Sequence, residues 1–176
     1  MLAYFYFDFS DTQLQQSESL IRSLITQVSS HYSTCPDLLV TLYSQHLDGQ
    51  QQPTTKGLMS TLKAMLKGKG FQHVYVIMDA LDECEDREQL LLLIQEITEW
   101  KLGTMHILAT SRKERDIEDC LIPRVSAQIN LHSSLVNADI QIHIQERLRN
   151  DTKLKKWSAK IHGQIEATLM DGADGM

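Results

Sequence analysis

The feature that most restricts the fold is the run His73-Val74-Tyr75-Val76-Ile77-Met78, which is short, apolar, rich in β-branched and aromatic side chains, and followed at once by acidic residues. An apolar run without polar alternation reads as a strand buried in a parallel sheet. A second run of this kind, Met105 to Thr110, follows the break at Gly103, and an aromatic one, Leu2 to Phe9, stands at the N-terminus. Aromatic and apolar residues occupy both faces of Leu2 to Phe9, so it is expected to be covered on two sides. A fourth strand is expected near Val125 to Leu131.

Helical periodicity fills the intervals. Ser10 and Gln13 form an S-x-x-Q capping box ahead of Leu14, Leu20, Ile21, Leu24, Ile25 and Val28, which share one face. Pro36 opens a second helix that Gly49 ends. Thr54 or Thr55 caps a third, bearing Leu58, Leu62, Met65 and Leu66 and closed by Gly68. Asp86 is placed to cap a fourth, through Leu90, Leu91, Leu93, Ile94 and Ile97, and a short helix is expected around Ile117 to Leu121. Strands alternating with helices of this length imply an α/β fold with a mostly parallel sheet. Beyond Ser134 the pattern is helical only, with Ile140, Ile144 and Leu148 on one stripe and Trp157, Ile161, Ile165 and Leu169 on another.

Composition narrows the function. At 42% hydrophobic and 23% charged, the 176 residues can bury a core of ordinary size. A formal net charge of -6 supplies no basic face for phosphate neutralisation, which argues against nucleic acid as a partner. Cys35, Cys84 and Cys120 contain no CxxC pair, so neither a disulfide framework nor a zinc site is expected, and a reducing cytoplasm fits best. No apolar run approaches the length of a membrane span. The local basic group Arg147, Arg149, Lys153, Lys155, Lys156 and Lys160 reads as a solvated face. The aromatic run directly after Met1 and the abrupt stop at Met176 suggest a piece of something larger.

The most informative string is Val74-Tyr75-Val76-Ile77-Met78-Asp79-Ala80-Leu81-Asp82-Glu83-Cys84, an apolar strand delivering carboxylates at its carboxyl end, which is a Walker B pattern. Magnesium held by nucleotide phosphates keeps most of its waters and takes one or two carboxylates, so Asp79 is the metal candidate. Asp82 or Glu83 would orient an attacking water as the catalytic carboxylate. The plainer alternative is that these are solvated loop acids, one of which caps the next helix.

The string Asp79-Ala80-Leu81-Asp82-Glu83-Cys84 resembles the NACHT branch of the STAND P-loop NTPases, particularly the fungal set with nephrocystin-like NACHT modules. Leu108-Ala109-Thr110-Ser111-Arg112 resembles the family's sensor segment, which implies that Thr110, Ser111 and Arg112 bind nucleotide, with the Arg112 guanidinium facing the γ-phosphate. Tyr4 to Phe9, Trp100 to Gly103, Ser111 to Ile117, Asn137 to Ile140 and Lys153 to Trp157 extend the likeness over nearly the whole chain. It implies a three-layer P-loop NTPase-like parallel sheet, with a partial nucleotide-binding core at 1–134 and the start of a helical arm at 135–176. The implied cofactor is ATP or GTP with magnesium. The implied partners are protein partners or neighbouring domains of a larger signalling protein that oligomerises, with no nucleic acid and no membrane involved.

The family's phosphate loop, G-x-x-x-x-G-K-[ST], does not occur in the sequence. Lys67-Gly68-Lys69-Gly70 precedes the Walker B strand and is followed by Phe71, so it reads as a helix stop. By resemblance, the strand ahead of that loop lies centrally in the sheet, beside the sensor strand, and its loss should leave unpaired backbone there. Two functions are then open. One is part of a signal-transducing switch whose parent family hydrolyses ATP or GTP, with binding and hydrolysis lost or incomplete in this chain. The other is a non-catalytic protein-interaction module derived from a NACHT domain. A phosphoacceptor receiver domain built on Asp79 lacks the Lys required at the end of the following strand.

Overall fold

The computed structural model describes residues 1–33, 36–68, 71–130 and 134–173. They fall into two compact units, Met1–Arg124 and Val125–Met176. The first contains β1 (Leu2–Tyr6), α1 (Ser17–Ser29), α2 (Asp37–Gln45), α3 (Thr55–Lys67), β2 (Val74–Asp79), α4 (Arg87–Glu99), β3 (Met105–Ala109) and α5 (Arg115–Leu121). The strands form one parallel sheet in the order β1-β2-β3, with Phe5 opposite Met78 and Met78 opposite Ala109. The fold is therefore α/β with a parallel sheet, as its strand and helix periods require.

One face of the sheet carries the core. Ala3, Phe5 and Phe7 from the first strand and Val74, Val76 and Met78 from the second are buried with Leu20, Leu24 and Val28 of α1, Leu62 and Met65 of α3, and Ile94 and Ile97 of α4. At roughly 25 cal/mol per Å² of apolar surface, each such aliphatic side chain contributes about 1.5–3 kcal/mol relative to exposure. The opposite face stands bare: Leu2, Tyr4, Tyr6, Tyr75 and Leu108 each keep about half of their surface in solvent, between 47% and 56%. The two-sided coverage expected of Leu2 to Phe9 is thus not met. The run Tyr4-Phe5-Tyr6-Phe7 alternates rings that carry a hydroxyl, facing solvent, with rings that do not, facing the core.

Two capping expectations are also corrected. The Ser10–Gln13 box does not form; the Ser10 hydroxyl and amide turn back to Asp8, at 2.6 and 2.8 Å, and hold that carboxyl below its ordinary value. The first helix begins instead at Ser17, whose amide and hydroxyl donate to the Asp86 carboxylate at 2.7 and 2.5 Å. Asp86 occupies the N-cap position of α4, yet its side chain makes no capping bond there. It caps α1 across 69 residues of sequence. Thr54, of the two threonines considered, caps α3, accepting from the Gly57 amide at 3.2 Å.

No strand forms among the described residues 125–130, where Val125 and Ile129 are exposed. An isolated strand has no neighbour for its backbone groups, and nothing among the described residues hydrogen-bonds along the outer edge of β3 as a further strand. Leu131, and the Lys69-Gly70 half of the glycine-lysine cluster, lie outside the described residues; Gly68 does close α3, as the C-cap. The second unit comprises α6 (Ser134–Asn150) and α7 (Ala159–Ala173), with Ile144 and Leu148 of the expected stripe buried and Trp157 half-exposed. The six basic residues from Arg147 to Lys160 are all exposed. No described helix is long and apolar enough to cross a membrane.

Candidate functional site

The carboxyl ends of β2 and β3 lie side by side, and the loops leaving these two strands build the site. After Asp79 the backbone of Ala80 enters the left-handed region (φ 56°, ψ 52°), a conformation that a side chain with a Cβ adopts at a cost of roughly 1–2 kcal/mol. The reversal drops Leu81 into the core and winds Leu81–Glu83 into one 3-10 turn, leaving Asp82 and Glu83 on the rim.

Thr110 locks this turn to the third strand. Its amide donates to the Met78 carbonyl at 2.9 Å, and its carbonyl accepts from the Leu81 amide at 3.0 Å. Its hydroxyl accepts from the Ala80 amide at 3.0 Å and donates to Asp79 Oδ1. The half-buried Asp79 thus keeps its second carboxylate oxygen without a hydrogen bond among the described residues.

Asp82 holds the segment after β3. Its Oδ1 accepts the Arg112 amide at 2.9 Å and lies 3.3 Å from the Ser111 hydroxyl, while Oδ2 is 3.4 Å from Arg112 Nε. The Asp82 side chain is 9% exposed against 62% for Arg112, so the carboxylate is enclosed while the guanidinium reaches outward. Glu83 accepts the Phe9 amide at 3.1 Å and so ties the loop after β1 to the same rim. All six residues singled out from the sequence, namely Asp79, Asp82, Glu83, Thr110, Ser111 and Arg112, therefore share one end of the sheet.

Behind the rim, Cys84 is buried and its thiol faces the Asp86 carboxylate at 3.2 Å. Burial, reinforced by that hydrogen bond and negative charge, pushes the thiol up to about 12. Burial pushes Asp86 upward too, but the bonds from the Ser17 hydroxyl and amide and from the Cys84 thiol more than offset it, leaving the carboxyl below its ordinary value. A thiolate nucleophile is therefore absent here. Sequence reasoning missed the Asp86–Ser17 link because no local spacing encodes a contact between two loops so far apart.

The residues fit a hydrated magnesium ion in part. Asp79 offers one free carboxylate oxygen beside a hydroxyl, which suits an ion that takes one or two protein ligands and otherwise keeps water or phosphate. No group of three or more His, Cys, Asp or Glu side chains among the described residues could enclose an ion. His73 Nδ1 and His106 Nε2 approach to 3.1 Å on the bare face, away from these carboxylates in sequence and strand position.

Among family models, that of Nephrocystin 3, N-terminal matches residues 1–112, which include both strand ends and Arg112. The vegetative incompatibility protein HET-E-1 of Podospora anserina is 24% identical over 185 residues. That alignment takes in 99% of this chain and 13% of the relative, so the chain spans about an eighth of the relative's length. No solved structure matches.

Proposed function

The chain belongs to the Nephrocystin 3, N-terminal family, as a NACHT-related module with a fungal relative, and from that premise we propose that it is the Walker B and sensor portion of a nucleotide-dependent signalling switch. In this reading it holds no nucleotide tightly by itself. The observation that carries it is the convergence of Asp79, Thr110, Asp82, Ser111 and Arg112 at the carboxyl ends of two adjacent parallel strands, the place where α/β sheets receive ligands.

Each residue has a role there. Asp79 presents its free oxygen to the waters of a magnesium ion, which would supply charge neutralisation for bound phosphates. Thr110 fixes the orientation of Asp79. Arg112 directs its outer guanidinium nitrogens toward phosphate oxygens while Asp82 anchors its backbone, so nucleotide arrival and loss would pull on the segment between β3 and α5. In this reading Asp82 or Glu83 would orient an attacking water, Asp82 from its place beside Arg112 and Glu83 from its bond to the Phe9 amide. Most phosphate affinity in a P-loop site comes from a glycine-rich loop and its Lys. The sequence has no such string, so ATP or GTP affinity and hydrolysis are lost or incomplete in these 176 residues.

The second reading, a non-catalytic interaction module that docks on neighbouring domains or other proteins in the cytoplasm, is favoured by the bare sheet face. Titration with fluorescent ATP and GTP analogues, with and without magnesium, separates the two. The first reading expects weak, magnesium-dependent binding that Asp79→Ala and Arg112→Ala each reduce several-fold. Binding unaffected by either substitution, or none at millimolar ligand, leaves the interaction module. Tight micromolar binding abolished by Asp79→Ala would overturn the claim that affinity has been lost.

A further inference from the structure

Of the helices in the first unit, α2 alone has no buried residue. Its sequence does not suit so exposed a place. Five of its nine residues, Leu38, Leu39, Val40, Leu42 and Tyr43, are apolar, and a helix apolar on more than one side is ordinarily covered on more than one side. Leu39 and Leu42 pack on the core, with α2 set against α3. Val40 and Tyr43, three residues apart and so on one side of the helix, and Leu47 just past its end, keep between 52% and 56% of their surface exposed.

The turn that follows holds this surface in a fixed shape. Leu47 and Asp48 both sit in the left-handed region, at φ 52°, and Gly49 follows at φ 85°, a succession that a leucine adopts only where its surroundings impose it. Here the Gly49 and Gln51 amides donate to the His46 carbonyl and the Gln50 amide to that of Leu47, each at 3.1 Å. His46 Nδ1 in turn lies 2.8 Å from the Leu42 carbonyl. Gly49 passes so close to the Tyr43 ring that a Cβ there would come within 2.7 Å of Cε2. The turn thus leaves Leu47 in solvent and seats the Tyr43 ring against its backbone. An aromatic side chain held in this way loses little freedom on binding.

Charge selects the occupant. From Ser23 to Thr55 the sequence contains no Lys or Arg. The carboxylates of this segment, Asp37 at the start of α2 and Asp48 in the turn, are exposed, and neither is in an ion pair among the described residues. We propose that Val40, Tyr43 and Leu47, bracketed by Asp37 and Asp48, form a docking surface for an amphipathic helix of a protein partner whose apolar stripe is bordered by Lys or Arg. A second copy does not fit. Paired antiparallel about Tyr43 it sets Asp37 toward Asp48 at both ends, and paired parallel it sets each carboxylate against its own counterpart. The same carboxylates repel an anionic membrane or a nucleic acid. Docking at α2 requires no nucleotide, so it stands apart from the rim at the carboxyl ends of the strands.

The probe is a synthetic helical peptide of Leu, Ala and Lys, with Leu at i, i+3 and i+7 and Lys bordering that stripe. Titrated into the full chain at physiological ionic strength and followed by fluorescence anisotropy, it should bind saturably at micromolar concentration and slow amide exchange in α2. The same peptide with Glu in place of Lys should bind at least about tenfold more weakly. Tyr43→Ser and Leu47→Asn should each weaken the Lys peptide about tenfold. Both positions are exposed, and Asn enters the left-handed region more readily than Leu, so Leu47→Asn should keep the fold by circular dichroism. Asp37→Lys combined with Asp48→Lys should reverse the preference toward the Glu peptide. Absence of saturable binding, equal affinity for the two peptides, exchange protection confined to residues 79–86, or indifference to both Tyr43→Ser and Leu47→Asn would each overturn the assignment. So would a concentration-dependent dimer that Leu47→Asn dissolves, since the occupant would then be a second copy.

Discussion

Removing the Asp86 carboxylate tests whether the first helix is capped from the far side of the rim. The Ser17 amide belongs to the first turn of α1, and the N-cap residue Gln16 makes no side-chain bond to it, so Asp86→Ala leaves that turn without its cap. Losing a cap costs about 1–2 kcal/mol. The Ser17 hydroxyl, in a residue only 1% exposed, also loses a charged acceptor, for roughly 1.5–3 kcal/mol before any water intervenes. Asp86 itself is half-buried, so solvent recovers part of this, and the net expectation is about 2–4 kcal/mol. The measurement is urea unfolding followed by Trp100 fluorescence, in a Trp157→Phe background that leaves this buried reporter of the first unit alone. Ser17→Ala should cost less, and the double variant should be less destabilised than the two singles summed, by about 1 kcal/mol or more. The native carboxyl lies below its ordinary 3.8, so its contribution is present above that pH and lost as pH falls through the lower native value. The gap between the parent and Asp86→Ala should therefore close in acid. A loss under about 0.5 kcal/mol at neutral pH, or strictly additive singles, would refute the cross-chain cap.

Three further outcomes can be checked. Cys84, pushed up to about 12 from 9.0 by burial, should resist thiol reagents at pH 8 in the native state; because the folded protein retains this proton, stability should decline as pH rises above 9, and Cys84→Ala should remove that part of the decline. Gln27→Ala should cost about 1 kcal/mol, read by urea unfolding, through the loss of its two bonds to the Tyr4 backbone. Asp82→Ala should destabilise by about 1–2 kcal/mol and speed amide exchange at Arg112, whereas Asp82→Asn, which keeps an acceptor, should do less.

The bare face of the sheet gives the charged rim its context. A parallel sheet is ordinarily covered on both sides, because its crossover helices lie on both. Here the helices of the first unit pack against one side, and the side that remains carries tyrosines and histidines whose polar ends tolerate water: Tyr75 stacks on His106 with ring centroids 4.9 Å apart, and Tyr4 lies 5.4 Å from Tyr6. Such a surface pairs apolar ring faces with polar ends that water can satisfy.

The sequence alone determined the three strands of the sheet and most of the helices, because these depend on short-range periods, whereas the fourth strand expected near Val125 to Leu131 does not form among residues 125–130. Val74 to Asp79 and Met105 to Ala109 are apolar runs of strand length, and in a parallel sheet both deliver their carboxyl ends to the same side, so Asp79 and Arg112 were expected at one end of the sheet; that the two strands are adjacent was decided by the tertiary structure. The alternation in Tyr4-Phe5-Tyr6-Phe7 was also legible, although it passes for uniform hydrophobicity when tyrosine counts as apolar. Tertiary structure alone decided the long-range pairings. Asp86 left the helix it precedes for Ser17, Gln27 turned onto the backbone of β1, and Asp82 folded under Arg112. Each of these side chains has a plausible local partner or none, and the choice rests on which distant donors the packed core brings within 3 Å while excluding the water that would otherwise satisfy them.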